Sequence, residues 1–171
     1  MHLYFKKYYQ YCPKCSQKME KADERLECPY CHFCVYPHPS PCTAIFITNS
    51  KQQILLARRA IEPKKGFFDA VGGFVQTGES FEEGALREVK EETGLDVVIQ
   101  SCLGSVSDHY LETPTITVGY LAKPIKGTPQ PADDVAQLHW LDLDHLPPAN
   151  KIAFKSFFVL LSRAIKLISV R

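Results

Sequence analysis

The chain has 171 residues, with 20 Lys and Arg against 19 Asp and Glu for a formal net charge of +1. That balance lacks the basic excess of a dedicated nucleic-acid binder. The 45% hydrophobic and 23% charged residues exclude disordered and collagen-like classes, and the length holds one ordinary domain plus a small appendage.

The N-terminal segment from Met1 to Tyr9 has no apolar run of signal-peptide length, and no stretch of the chain reaches the roughly 20 apolar residues that a membrane span needs. A cytoplasmic protein without a membrane partner is expected. Phe5, Lys6, Lys7, Tyr8, Tyr9 and Tyr11 interleave aromatics with cations. Such a pattern could stack on bases, or it could pack the appendage onto the main domain; nucleic acid is not expected as a partner.

Four of the seven cysteines fall in two Cys-x-x-Cys pairs, Cys12/Cys15 and Cys28/Cys31. Each tight turn presents two thiolates to one ion, and two such turns complete the tetrahedral sulfur shell that Zn²⁺ prefers. A closed four-thiolate shell implies a structural metal, and the polar residues between the pairs are enough for a short hairpin to double back. Reduced structural cysteines, or a redox pair, are the alternatives. Three prolines between Pro37 and Pro41 are incompatible with helix or central strand. A stiff linker is expected there, dividing a ribbon over 1–39 from a larger domain over 40–171.

Beyond the linker, Cys42–Thr48 and Gln53–Arg58 read as strands around a turn at Asn49-Ser50-Lys51. A Gly/Pro-marked loop precedes Gly72-Gly73, and a helix is expected from about Ser80 to Thr93, stopped by Gly94. Leu95–Val106, Thr115–Ala122 and Val135–Leu141 read as further strands. From about Asn150, Phe154, Phe157, Phe158, Leu161, Ile165 and Ile168 recur at helical spacing. The pattern suits an α/β (α+β) sandwich of helix, sheet and helix.

On the expected central helix, Glu88 and Glu92 lie one above the other at i, i+4, with Glu91 to one side. Taken alone, that cluster also suits a solvated acidic face. Gly84, one turn before Glu88, leaves the face open, while Phe81, Ala85 and Val89 form an adjoining apolar stripe. Clustered hard oxygen ligands suit Mg²⁺ or Mn²⁺ with a substrate phosphate. The glycines at 72 and 73 allow a backbone carbonyl to turn toward the same ion. Arg87 can orient Glu79 or Glu91, or it is an ordinary surface cation.

The segment Gly73 to Leu95 resembles the Nudix box, Gly-x5-Glu-x7-Arg-Glu-aliphatic-x-Glu-Glu-x-Gly-aliphatic, with Gly73, Glu79, Arg87, Glu88, Val89, Glu91, Glu92, Gly94 and Leu95 at its defined positions. The run His139-Trp140-Leu141-Asp142 to Leu146-Pro147 extends the likeness, and a zinc ribbon ahead of the domain is similar to the NADH pyrophosphatase group. The resemblance implies a Nudix-type α/β/α sandwich with a mixed sheet. It further implies hydrolysis of a nucleoside diphosphate linked to another moiety, with Mg²⁺ or Mn²⁺ held by Gly73, Glu88, Glu91 and Glu92 and structural Zn²⁺ on Cys12, Cys15, Cys28 and Cys31. Glu88, Glu91, Arg87 and Glu79 are the expected catalytic set. Arg58, Tyr110 and Asp134 are candidate contacts to a small-molecule nucleotide, with Tyr110 equally readable as a strand aromatic. Val71 stands where many relatives have Pro. The stretch Ser105–Pro114 lacks the Ser-Gln-Pro-Trp-Pro-Phe-Pro array of NADH pyrophosphatases, which points away from NADH. A homodimer is left open.

Overall fold

A computed structural model of the chain describes residues 3–169, apart from the side chains of Leu3, Tyr4 and Lys6; Met1 and His2 at the start of the expected ribbon, and Val170 and Arg171, lie outside the described residues. A six-residue helix, α1 (Leu3–Tyr8), comes first and was not evident from the sequence. Three short antiparallel strands follow, β1 (Glu20–Ala22), β2 (Arg25–Glu27) and β3 (Cys34–Val35), in the order β1-β2-β3. This is the doubling back expected between the cysteine pairs. Its core is small: Cys12, Met19, Leu26 and Cys28 are buried, and Phe33 and Val35 pack against them. So little apolar surface cannot by itself offset the entropy of ordering the segment, so a cross-link is needed.

The main sheet contains β4 (Ser40–Thr48), β5 (Ile54–Arg59), β6 (Phe68–Asp69), β7 (Asp96–Tyr110), β8 (Thr113–Lys126) and β9 (Val135–Leu141). Its order is β6-β5-β4-β8-β7, with β9 along β5. β4 and β8 run parallel and the other pairings are antiparallel, so the sheet is mixed. β4 is apolar on both faces from Ala44 to Ile47, as befits a central strand. The prolines do not end before it: Pro41 is its second residue, opposite Ile116. The N–H groups of Thr43 and Ile45 point to the carbonyls of Gly73 and Val71. By the period of two, the N–H that Pro41 lacks lies on that loop side rather than in the β4–β8 ladder.

Each face of the sheet carries one helix. α2 (Phe81–Thr93) packs Ala85 and Val89 against Ile45, Ile47, Leu55, Leu95 and Tyr120. α3 (Lys155–Ser169) packs Phe157, Leu160, Leu161, Ala164 and Ile168 against Phe46, Ile54, Leu56 and Leu121. Phe46 and Phe157 stack at 5.5 Å between ring centroids; burying such a side chain is worth about 1.5–3 kcal/mol. The α3 stripe is rotated from the one read in the sequence: Leu160 and Ala164 are inside, and Phe158 is 47% exposed. A short 3₁₀ turn at Ala149–Lys151 precedes α3, which therefore starts at Lys155 rather than Asn150. β7 and β8 outrun the expected strands and meet at a two-residue loop, Leu111-Glu112, where Tyr110 pairs with Thr113. No helix among the described residues is long and apolar enough to cross a membrane.

Candidate active site and cysteine cluster

Helix α2 is fixed at both ends. Ser80 accepts the Glu83 N–H while the Glu83 carboxylate accepts the Ser80 N–H, a complete capping box, and Gly94 closes the helix in the left-handed conformation. The three acids on this frame differ in depth. Glu92 is 6% exposed and sits on the same stripe as Ala85 and Val89; the side chains of Glu88 and Glu91 are 12% and 48% exposed. Arg87 ties Glu88 and Glu91 to Glu79 and does not reach Glu92. Its Nε and Nη2 donate to Glu79 at 3.1 and 2.7 Å, and Nη1 donates to Glu88 and Glu91, each at 2.9 Å. Nη2 also donates to the Phe74 carbonyl at 3.1 Å, linking the helix to the glycine loop. Both glycines near these acids make room: a Cβ on Gly73 would lie 2.6 Å from Glu88 Oε1, and one on Gly84 would lie 2.9 Å from Glu79 Oε1.

The electrostatics divide the acids. Arg87 and the Gln76 N–H hold Glu79 down to about 2. Burial pushes Glu92 up to about 8; the Gly72 N–H at 3.0 Å opposes this, and the like charges of Glu88, Asp69 and Asp134 reinforce it. Burial also raises Glu88 against the pull of Arg87, with Glu91 and Asp133 adding to the rise. No ion pair reaches Glu92 among the described residues. Glu88, Glu91 and Glu92 do not converge within 4.8 Å of one another as the four cysteines do. The Gly73 carbonyl accepts the Thr43 N–H at 2.8 Å, which leaves its second lone pair. A set of hard oxygen donors around an uncompensated buried acid fits a divalent cation.

Glu92, Gly72 and Gly73 line a cleft of about 750 Å³ of empty space, open to solvent, whose walls include Thr43, Arg59, Asp69, Tyr110, Asp134 and Phe154. Tyr110 and Asp134 are thus at the cleft. Arg58 is not among the lining residues: its guanidinium lies 4.8 Å over the Phe68 ring. Its neighbour Arg59 lines the cleft instead, because a register shift against β9 falls between Arg58 and Arg59 and re-aims the side chain. Arg59 donates to Asp69 at 3.1 Å and lies 5.1 Å over Phe154 and 6.0 Å over Tyr110. Phe74 meets Tyr110 edge to face at 5.6 Å. Arg59, Asp69, Phe74 and Phe154 were missed in the sequence. Burial raises Asp69 to about 6 despite the opposing charge of Arg59. Thr43 has a buried hydroxyl without a hydrogen-bond partner.

In the cysteine cluster, Cys12 and Cys31 sulfurs are 3.6 Å apart and Cys15 and Cys28 sulfurs 3.4 Å, with all four within 4.8 Å of one another. A tetrahedral zinc site with metal–sulfur bonds of about 2.3 Å sets its sulfurs roughly 3.8 Å apart, so the cluster has the spacing of a metal site. The two turns repeat one design: Ser16 and His32, both left-handed, donate N–H to the carbonyls of Cys12 and Cys28.

Residues 38–160, which hold the fold and the box residues described above, match the NUDIX domain model; the chain belongs to the Nudix family. Members of this family work with divalent metal ions. The chain is 37% identical over 122 residues to the ADP-ribose pyrophosphatase of Methanocaldococcus jannaschii, covering 70% of each. It is 30% identical over 141 residues to the NAD-capped RNA hydrolase NudC of Pseudomonas aeruginosa, covering 81% of this chain and 49% of that protein. The chain thus spans about half the length of that relative. A NUDIX hydrolase from Nitrosomonas europaea superposes with a TM-score of 0.77 at 23% identity, covering 92% of this chain and 90% of the other; that likeness shows the α+β Nudix fold with its mixed sheet.

Proposed function

We propose that the chain hydrolyses the pyrophosphate bond in a nucleoside diphosphate linked to a second moiety, of dinucleotide, nucleotide-sugar or ADP-ribose type. One observation carries this reading: Glu92 is a buried acid beside Glu88, Asp69 and Asp134, with a single N–H for support, at the wall of an open cleft. A fold does not keep such an acid for stability, because replacing it with an apolar residue would relieve the repulsion.

Mg²⁺ or Mn²⁺ would be held by Glu88, Glu91 and Glu92 with the Gly73 carbonyl. Held by these residues, a divalent ion would supply charge neutralisation at the diphosphate oxygens and a lowered pKa for an attacking water. Arg87 orients three of the acids at once, and its planar fork on Glu79 fixes that orientation. Glu88 or Glu91 is the general base. Tyr110, with Phe74 and Phe154 around it, offers a ring on which a nucleoside base stacks. Asp134 lines the same cleft. Zn²⁺ on the four cysteines is structural, because four thiolates close its shell. The same reading divides the chain into a ribbon over 1–39 and a hydrolase domain over 40–171, supported by the separate sheets on the two sides. The names of the relatives, an ADP-ribose pyrophosphatase and a NAD-capped RNA hydrolase, agree with this substrate class.

Purified protein with Mg²⁺ or Mn²⁺ should release a nucleoside monophosphate from at least one of ADP-ribose, NADH, a nucleotide sugar and a dinucleoside polyphosphate. Glu91→Gln or Glu92→Gln should abolish release. No release from any of the four, with metal binding shown by calorimetry, removes the proposal.

A further inference from the structure

The β7–β8 hairpin carries Asp108, His109 and Tyr110 into the cleft, yet its tip is poorly supported by its own sheet. β8 pairs with β4 only from Thr115 onward, opposite Ser40, so Tyr110 and Thr113 belong to a two-stranded overhang at the sheet edge. An isolated pair of strands is marginal in water. The loop sequence does not repair this. Its first residue, Leu111, has φ of 55° and is 71% exposed, whereas two-residue loops with positive φ favour Gly, Asn or Asp. A leucine there is strained, because its Cβ crowds the following carbonyl oxygen.

The Tyr110 ring meets Phe74 and Phe154 and its hydroxyl donates to the Glu62 carbonyl at 3.4 Å, and the loop beyond it is held from the other module. Glu112, the second loop residue, accepts two hydrogen bonds from Lys7 Nζ at 3.0 and 2.7 Å and one from the Tyr8 hydroxyl at 2.6 Å. Phe5, one turn earlier on α1, is 8% exposed, and with Pro37, Pro39, Ser107 and Pro114 it lines a groove between the module and the hairpin. That groove and the cleft share Asp108, His109 and Thr115 as a common wall. From α1 the chain runs directly into the first cysteine turn, where Met19 N–H bonds Gln10. An exposed ion pair alone is worth little, but here three hydrogen bonds meet one carboxylate, and Phe5 of the same helix is buried.

We propose that α1 braces the nucleoside end of the cleft: Lys7 and Tyr8 hold the hairpin tip through Glu112, with Phe5 seated in the adjoining groove, and so keep Tyr110 in place for stacking on a base. Glu112 is a positioning residue, and the cysteine module acts on substrate affinity rather than on fold stability alone. This rests on the reading of Tyr110 given above.

The test is the binding of ADP with Mg²⁺ present, by calorimetry, to the full chain and to Glu112→Ala, Tyr110→Ala and the double variant. Glu112→Ala should weaken ADP about fivefold to tenfold, the scale of a lost base stack, and the double variant should bind no more weakly than Tyr110→Ala. The paired change Lys7→Met with Tyr8→Phe should reproduce the loss with Glu112 intact. Unchanged affinity in Glu112→Ala, or additive losses in the double variant, would overturn the brace. A chain that binds ADP but releases no monophosphate from any substrate would fail the hydrolase reading while leaving these affinities to decide the brace. A wild-type chain that binds no ADP would remove the stacking role of Tyr110, and the brace with it.

Discussion

Glu92→Gln should make the protein inactive and more stable. Burial raises the Glu92 carboxyl from its ordinary 4.5 to about 8. Between those values the folded state keeps a proton that the unfolded chain has released, so metal-free stability falls as pH rises from about 4.5 through 8. At about 1.4 kcal/mol per unit, the loss at pH 8 is on the order of 4 kcal/mol. Glutamine carries no charge and keeps an acceptor for the Gly72 N–H, but its amide N–H₂ group needs new partners at a cost of about 1–2 kcal/mol. The net gain at pH 8 is about 2–3 kcal/mol, which for this chain length raises the melting temperature by roughly 4–12 °C. Urea and thermal unfolding of both proteins from pH 4.5 to 8.5, without added Mg²⁺ or Mn²⁺ and without chelator, measure it. The advantage of the variant should shrink with falling pH and reverse at about pH 5–6, where the charge penalty has fallen to the 1–2 kcal/mol cost of the amide, and Mg²⁺ should restabilise the wild type alone. A variant no more stable than wild type at pH 8 would refute the reasoning.

Arg87→Lys should lower kcat about 10- to 100-fold, because an ammonium cannot reproduce the fork on Glu79 while reaching Glu88 and Glu91; steady-state kinetics and a Mn²⁺ titration by electron paramagnetic resonance check it. Cys28→Ser should lower bound zinc from one per chain to a small fraction by atomic absorption, and speed tryptic cleavage at Lys14, Lys18, Lys21 and Arg25 as the folding energy supplied by the ion is lost. Gly72→Ala should destabilise by about 3 kcal/mol, since φ is 143° and the new Cβ would strike the Thr43 carbonyl. At Gly66, with φ of 80° and open space around it, alanine should cost only about 1 kcal/mol; denaturant midpoints separate the two.

The elements whose local signals agree were legible in the sequence. Helix α2 has its cap at Ser80, its stop at Gly94 and its stripe at Ala85 and Val89, and the cysteine turns state their own geometry. Glu92 was legible as one of three acids on a face adjoining that stripe, whereas its burial on the stripe itself was not. Nor was Arg59: strand alternation gives no warning of the register shift that directs it, and not Arg58, toward the cleft. Phe74, Asp69 and Phe154 come from three separate segments, and only the sheet pairing brings them to one wall. The hairpin was read short because Ser105–Tyr110 alternates between polar and partly buried residues on an edge strand, where little apolar surface marks the pairing.

The parallel pairing of β4 with β8 joins residue 40 to 115 and residue 47 to 122. During synthesis the apolar run Ala44–Ile47 therefore emerges long before its central neighbour exists. The cysteine turns close within residues 12–31 and can capture their ion in that interval. The nascent chain thus has a finished, polar-faced knob tethered to a sticky ribbon that waits for a partner, and a ribosome-stalled fragment ending between the two strands should hold zinc while still recruiting a holdase chaperone.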